Sequence, residues 1–125
     1  MKVGFSSSDG ITVNSHFGYA EIFSIYNIDH SQYEPYTTRV IEEVNEEDEI
    51  DKIETRLNAV KDCTILFITQ IGPAAAARVT REKIMPVKVQ EGTLIKEQLD
   101  RLLIMLQNKP PLWLQKLLNE QTANE

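Results

Sequence analysis

Polar and apolar residues alternate from Lys2 to Ser6, with Val3 and Phe5 on one face, and this period of two predicts a strand. Ser6-Ser7-Ser8-Asp9-Gly10 is a loop, because small polar residues and an Asp-Gly pair favour turns. Ile11 to Val13 reads as a short extension, and Asn14 to Ala20 as a second loop. Alternation returns from Ile22 to Ile28, breaks at the turn Asp29-His30-Ser31-Gln32, and resumes over Tyr33 to Val44 as a longer, more exposed strand. Three strands with such short connections pair antiparallel.

The period then changes. Ile50, Ile53, Leu57 and Val60 recur on one helical face, with Asn45 as the expected cap. Cys63 to Ile68 is apolar apart from Thr64, the pattern of a strand covered on both faces. A helix is predicted from Pro73 to about Lys83, then a short strand over Met85 to Val89, whose Pro86 prefers a sheet edge. Thr93 is placed to cap a last long helix with Ile95, Leu99, Leu102, Leu103 and Leu106 as its buried stripe. Pro110-Pro111 ends it. Leu112-Trp113-Leu114 with Leu117 and Leu118 makes a short amphipathic appendage, and residues 119–125 are expected to fray. The sum is an α/β domain with a five-stranded mixed sheet: three antiparallel strands, then helix–strand–helix–strand–helix with right-handed crossovers. Residues 1–107 make the domain, and 108–125 a tail rather than a second domain.

Composition excludes several functions. A chain of 125 residues suits one domain. Its 13 basic and 19 acidic residues give a net charge of −6, which argues against non-specific nucleic-acid binding, since that needs a basic face. The acidic run from Glu42 to Asp51 reads as a solvated loop and helix start. The longest purely apolar run, Leu102 to Leu106, has five residues, far short of the roughly 20 that span a membrane. The first residues enter a strand directly and show no signal-peptide pattern, and the single cysteine cannot form an internal disulfide, so the cytoplasm is the expected compartment.

Candidate chemistry gathers at one end of the sheet. In open α/β sheets, ligands bind beyond the carboxyl ends of parallel strands. The first strand ends at Ser6-Ser7-Ser8-Asp9 and the fourth at Thr69-Gln70-Ile71-Gly72. If these strands are neighbours, their loops share a rim and the loop carrying His16 folds over it. Pro73 suits the first helical position, and the alanines at 74–77 leave the helix N-terminus uncluttered, a setting that attracts anions. His16 lies in a polar loop, where an imidazole is either a metal ligand or a solvated brace. Cys63 opens a buried strand and is either a ligand or a small core residue; at the strand's amino end it sits on the wrong rim.

Conventional routes to metal and catalytic sites are closed. One cysteine cannot build a cysteine-ligated iron–sulfur cluster. There is no CxxC and no histidine pair at i, i+4 for zinc, and no phosphate- or dinucleotide-binding glycine fingerprint. Ser7, His16 and Asp9 assemble a triad only on paper, without a nucleophile elbow. Asp9 as one ligand of a two-metal nuclease lacks a second carboxylate on the fourth strand.

The segments Ser6-Ser7-Ser8-Asp9-Gly10, His16-Phe17-Gly18, Cys63 before its apolar strand, Thr69-Gln70-Ile71-Gly72-Pro73-Ala74-Ala75-Ala76-Ala77-Arg78 and Pro86-Val87-Lys88-Val89 occur in an order that resembles one family. It is the dinitrogenase iron-molybdenum cofactor biosynthesis family, with the NifX-type nitrogenase accessory proteins, NafY and the carboxyl-terminal domain of NifB. The resemblance covers about residues 1–107, and the tail from Lys109 to Lys116 is similar to the NifX branch. It implies a ribonuclease-H-like fold without nuclease chemistry. It also implies a non-catalytic carrier or store for an iron–sulfur precursor of the iron-molybdenum cofactor. Implied partners are the cofactor-synthesising enzyme and scaffold, or apo-dinitrogenase. By the same resemblance His16 is the leading metal ligand and Cys63 the second candidate. Ser7, Ser8, Asp9, Phe17, Gly18, Gln70, Gly72, Ala74, Ala75 and Arg78 would cradle the cargo. Some relatives carry further cysteines near the turn after the fourth strand, where this chain has Ile68 and Ile71. The alternative is a docking module of the nitrogenase assembly machinery, motivated by Trp113 and its leucine stripe.

Overall fold

A computed structural model describes residues 1–42 and 48–123, the last four by backbone only. In chain order the elements are β1 (Lys2–Ser6), β2 (Thr12–Val13), a 3-10 turn (Phe17–Tyr19), β3 (Ile22–Ile28), β4 (Tyr33–Val40) and α1 (Glu49–Val60). There follow β5 (Ile65–Ile68), α2 (Pro73–Arg81), β6 (Met85–Lys88), β7 (Thr93–Leu94), α3 (Ile95–Gln107) and α4 (Leu112–Ala123). The main sheet runs β4-β3-β1-β5-β6. Its first three strands pair antiparallel, while β1–β5 and β5–β6 are parallel. The first and fourth predicted strands are therefore neighbours, in the register Val3↔Ile65 and Phe5↔Phe67. Pro86 lies on edge strand β6, where its missing N–H costs no ladder bond on the open side.

Side-chain alternation sends the sheet's two faces into two cores. Ile25, Leu66 and Ile68 join Leu57, Val60 and Val79 beneath α1 and α2. Val3, Phe5, Ile65 and Phe67 join Leu99, Leu102 and Leu114 beneath α3 and α4. Phe5 and Phe67 stack at 4.9 Å across the parallel pair. Leu114 is fully buried and Trp113, Leu117 and Leu118 pack against the same cluster, so the tail covers this chain's own core. Among the described residues, no helix is long and apolar enough to cross a membrane.

Several boundaries differ from the sequence reading, each for a local reason. β4 stops at Val40, and Val44 lies outside the described residues. α1 is capped by Asp48, whose carboxylate accepts the Asp51 N–H at 2.8 Å; Asn45, the expected cap, also lies outside them. Ile50 leaves the predicted stripe and is 70% exposed, while Arg56 takes a place on the buried face. Thr93 is not a helix cap. It pairs with Val13 in a two-stranded β2–β7 ribbon, and its hydroxyl turns back to the Gln90 carbonyl at 2.6 Å. α4 continues to Ala123 through the stretch expected to fray.

Gly4 is set by packing rather than by conformation. A Cβ there would stand 3.2 Å from Cys63 Sγ and 3.3 Å from Leu66 Cδ1. Both neighbours are held in the core, so Gly4→Ala is expected to destabilise the fold by about 1 to 2 kcal/mol through overpacking. Urea denaturation measures this as a lower midpoint with an unchanged slope.

Candidate functional site

The loop after β1 spends its polar groups on itself. Asp9 Oδ1 accepts the Ile11 and Thr12 N–H groups, both at 2.8 Å, and the Ser7 hydroxyl at 3.0 Å; Oδ2 accepts the Thr12 hydroxyl at 2.8 Å. These bonds, the backbone ones from Thr12 and Ile11 foremost, hold the Asp9 carboxyl well below the usual carboxylate range. Ser7 is buried and also accepts the Gly10 N–H at 2.9 Å. Ser8 exchanges two hydrogen bonds with the Asn14 side chain. Ser7, Ser8 and Asp9 thus brace the loop, and Asp9 is engaged as a turn acceptor rather than presented to a metal.

The next loop is tied to the ends of β1 and β5. Ser6 Oγ donates to the Ser15 carbonyl at 2.7 Å and to the Phe67 carbonyl at 3.3 Å. The Thr69 N–H donates to Ser15 O at 3.2 Å, and the Phe17 N–H to Gln70 O at 2.9 Å. The rim inferred from sequence is therefore assembled, with the His16 loop stitched across it. Within the His-Phe-Gly motif the side chains separate by polarity. Phe17 is fully buried in the α1–α2 core, 6.2 Å from the Phe23 ring, while His16 is left exposed at the surface. Tyr19 lies beside it, with ring centroids 6.0 Å apart, and is 73% exposed.

His16 borders a cleft of about 540 Å3 between the 3-10 turn, the start of α1 and the start of α2. Five residues expected at the site line it: His16, Gly18, Gln70, Gly72 and Ala75. The α2 entrance is as open as the alanines suggested. Gly72 caps it without a side chain, Pro73 is the first helical residue, and no acidic residue occupies the first turn. The N–H groups at the first helical positions, here those of Ala74 and Ala75, have no partner within the helix, and the helix dipole makes this end favourable for negative charge. The sequence reading missed Tyr19, Asp48, Glu49, Lys52 and Ile53, which line the cleft together with Ile71. Lys52 Nζ stands 5.9 Å from the Tyr19 ring centroid. Tyr19 follows His-Phe-Gly directly and was legible as part of that motif; Lys52 was hidden in a charge-rich helix start.

Other expected site residues lie elsewhere. Phe17 anchors the turn from inside the core, and Ala74 is exposed outside the cleft lining. Arg78 pairs on the surface: its Nε and Nη2 donate to the Glu54 carboxylate at 2.7 and 3.1 Å, and Nη1 lies 3.6 Å from Glu82. Cys63 is buried at the amino end of β5. Seven positions separate it from Gln70, or roughly 20 Å at about 3.3 Å per extended residue. Burial, with Asp62 nearby, pushes its thiol up to about 12. Among the described residues, no group of three or more His, Cys, Asp or Glu is placed to hold a metal ion. Cys63 is therefore expected to resist thiol-specific reagents in the native protein at neutral pH and to react fully in urea. Fast native labelling, read by mass spectrometry, would contradict its placement.

The comparisons bear on this geometry. The family described as "Dinitrogenase iron-molybdenum cofactor" matches residues 1–104. Protein NifY of Klebsiella pneumoniae is 37% identical over 116 residues, which are 93% of this chain and 50% of that protein, so the chain spans about half the length of NifY. Protein NifX of Herbaspirillum seropedicae is 32% identical over 121 residues, 96% of this chain and 83% of NifX. PH0822, known from a crystal structure, has a similar fold, with a TM-score of 0.65 at 18% identity over 82% of this chain and 90% of that one. The match across the whole α/β core, and the identity to NifX over most of both chains, show that this chain belongs to the dinitrogenase iron-molybdenum cofactor family.

Proposed function

We propose that the protein binds and carries, or stores, an iron–sulfur precursor of the nitrogenase iron-molybdenum cofactor during nitrogenase maturation. One observation carries this reading: a single exposed imidazole, His16, borders an open cleft beside the undecorated N-terminus of α2. Family membership and the likeness to NifX and NifY support the nitrogenase context. A free metal ion needs several protein ligands, whereas a preassembled cluster brings its own sulfides and needs one or two anchors. The neutral imidazole offers a lone pair to one exposed iron. The Ala75 N–H at the start of α2 and the Lys52 ammonium offset the cargo's negative charge. Tyr19, Ile53 and Ile71 shelter it from water. Few bonds also permit release to a recipient.

The same reading makes the protein a non-catalytic cytoplasmic carrier, with a ribonuclease-H-like sheet as its frame. Its partners would be the enzyme and scaffold that make the cofactor, or apo-dinitrogenase. The burial of Leu114 and the packing of Trp113, Leu117 and Leu118 on the core favour a covering role for the tail over a docking role. Anaerobic titration with the isolated precursor, followed by visible absorption, tests the proposal. Saturable binding near one cargo per chain is expected. A spectrum that remains the sum of its parts at every ratio would refute it.

A further inference from the structure

β4 is the longest of the described strands and forms one edge of the main sheet. Its residues from Glu34 to Thr38 are exposed, as is Val40, and the apolar side chains of Tyr36 and Val40 are left 52% and 67% open to solvent. The bonds that close its two ends show which residues face outward. The Asp29 N–H donates to Gln32 O at 2.9 Å, and the Ile41 N–H to Glu21 O at 2.7 Å. In an antiparallel ladder, bonded pairs alternate with unbonded ones. Followed along the register from both ends, Glu34, Thr37 and Arg39 turn their backbone groups to β3, whereas Tyr33, Pro35, Thr38 and Val40 turn theirs away. Ile28, opposite Tyr33, fits this alternation, since its N–H goes to Met1 O on the β1 side at 2.9 Å. Tyr36 is the extra residue of a bulge, where the register jumps from Tyr26↔Pro35 to Ile25↔Thr37.

We propose that β4 pairs antiparallel, about a two-fold axis, with β4 of a second copy of this chain. Because the bulge shifts the alternation, a single register sets every outward-facing residue opposite another: Tyr33 against Val40 of the second copy, and Pro35 against Thr38. The N–H groups of Tyr33, Thr38 and Val40 then meet carbonyl acceptors across the interface. A proline and a bulge ordinarily guard an edge strand. Here the proline, which has no N–H, costs one bond per copy, and the bulge singles out one register. The side chains agree with that register. Tyr33 with Val40 and Tyr36 with Thr37 make aromatic–β-branched pairs, and Glu34 faces Arg39, all favourable across strands. Arg39 already holds Asp62, so its charge sets the register more than the strength. The opposite edge strand, β6, has only four residues and offers no such match.

Sedimentation equilibrium of the full chain over a wide concentration range, with amide exchange followed by NMR, is the experiment. A monomer–dimer equilibrium is expected. The Tyr33, Thr38 and Val40 amides should gain protection as the dimer forms, while those of Glu34, Thr37 and Arg39 are protected already. Thr38→Pro is expected to weaken dimerisation by about tenfold or more at an unchanged melting temperature, because the Thr38 N–H faces away from β3. Pro35→Thr supplies the missing donor and is expected to tighten the dimer several-fold. A monomer at every concentration up to about 1 mM would overturn the proposal. So would a dimer that both substitutions leave unaltered, or one whose new protection lies outside β4, since the copies would then meet on another surface.

Discussion

Arg56→Met is expected to lower the unfolding free energy by about 3 kcal/mol, the largest single-residue loss of stability predicted for this chain. Arg56 is 1% exposed, on the inner face of α1. Its Nε–H donates to the Ala20 carbonyl at 3.0 Å, and Nη1 donates to the Lys52 carbonyl one helical turn back at 3.3 Å. Ala20 closes the 3-10 turn that presents His16 and Tyr19. Methionine fills much of the volume but donates nothing, so the Ala20 carbonyl stays buried without this charged donor. Urea denaturation gives the stability loss. Faster amide exchange at Tyr19 and Ala20 than at the α3 core is the accompanying sign, because the turn loses its tie to α1. A change below about 1 kcal/mol would mean that water replaces the guanidinium.

His16→Ala is expected to leave stability unchanged and weaken precursor binding by about tenfold or more, a loss of at least 1.4 kcal/mol. The side chain is exposed and packs into neither core. What holds the loop is its backbone: the His16 carbonyl accepts the Tyr19 N–H at 3.1 Å, and alanine keeps that bond. Binding and folding therefore separate in this variant. Anaerobic titration reads the first and thermal unfolding the second. A coincident loss of both would show that His16 supports the fold rather than the cargo.

Much of the fold is legible because each side chain has one environment to satisfy. Val3 and Phe5, alternating with Lys2, Gly4 and Ser6, reveal a strand by period, and the apolar run Ile65 to Ile68 reveals one covered on both faces. Gly72 and Pro73 mark a helix start by conformation and missing donor. The rim follows from strand order alone, since Ser6 and Ile68 end parallel neighbours. Features that depend on contacts distant in sequence are not legible. β2 and β7 have two residues each, too few to show a period. Arg56 reads as solvated because charge is normally exposed, and its acceptor at Ala20 lies 36 positions away. Arg78 and Asp9 have the chemistry of ligand-binding groups, but Glu54 and the Thr12 turn claim them first. His-Phe-Gly announces a motif without saying which side chain faces out. That is decided by the core, which takes the phenyl ring and excludes the imidazole.

The central claim is that one imidazole beside an open helix N-terminus suffices to hold a preassembled cluster. The most direct test is anaerobic gel filtration of the apo-protein and its His16→Ala variant after mixing with the isolated iron–sulfur precursor, with iron measured across the protein peak. Near-stoichiometric iron with the native chain and little with His16→Ala is the predicted result. Equal iron with both proteins would remove His16 from the site, and none with either would contradict the carrier itself.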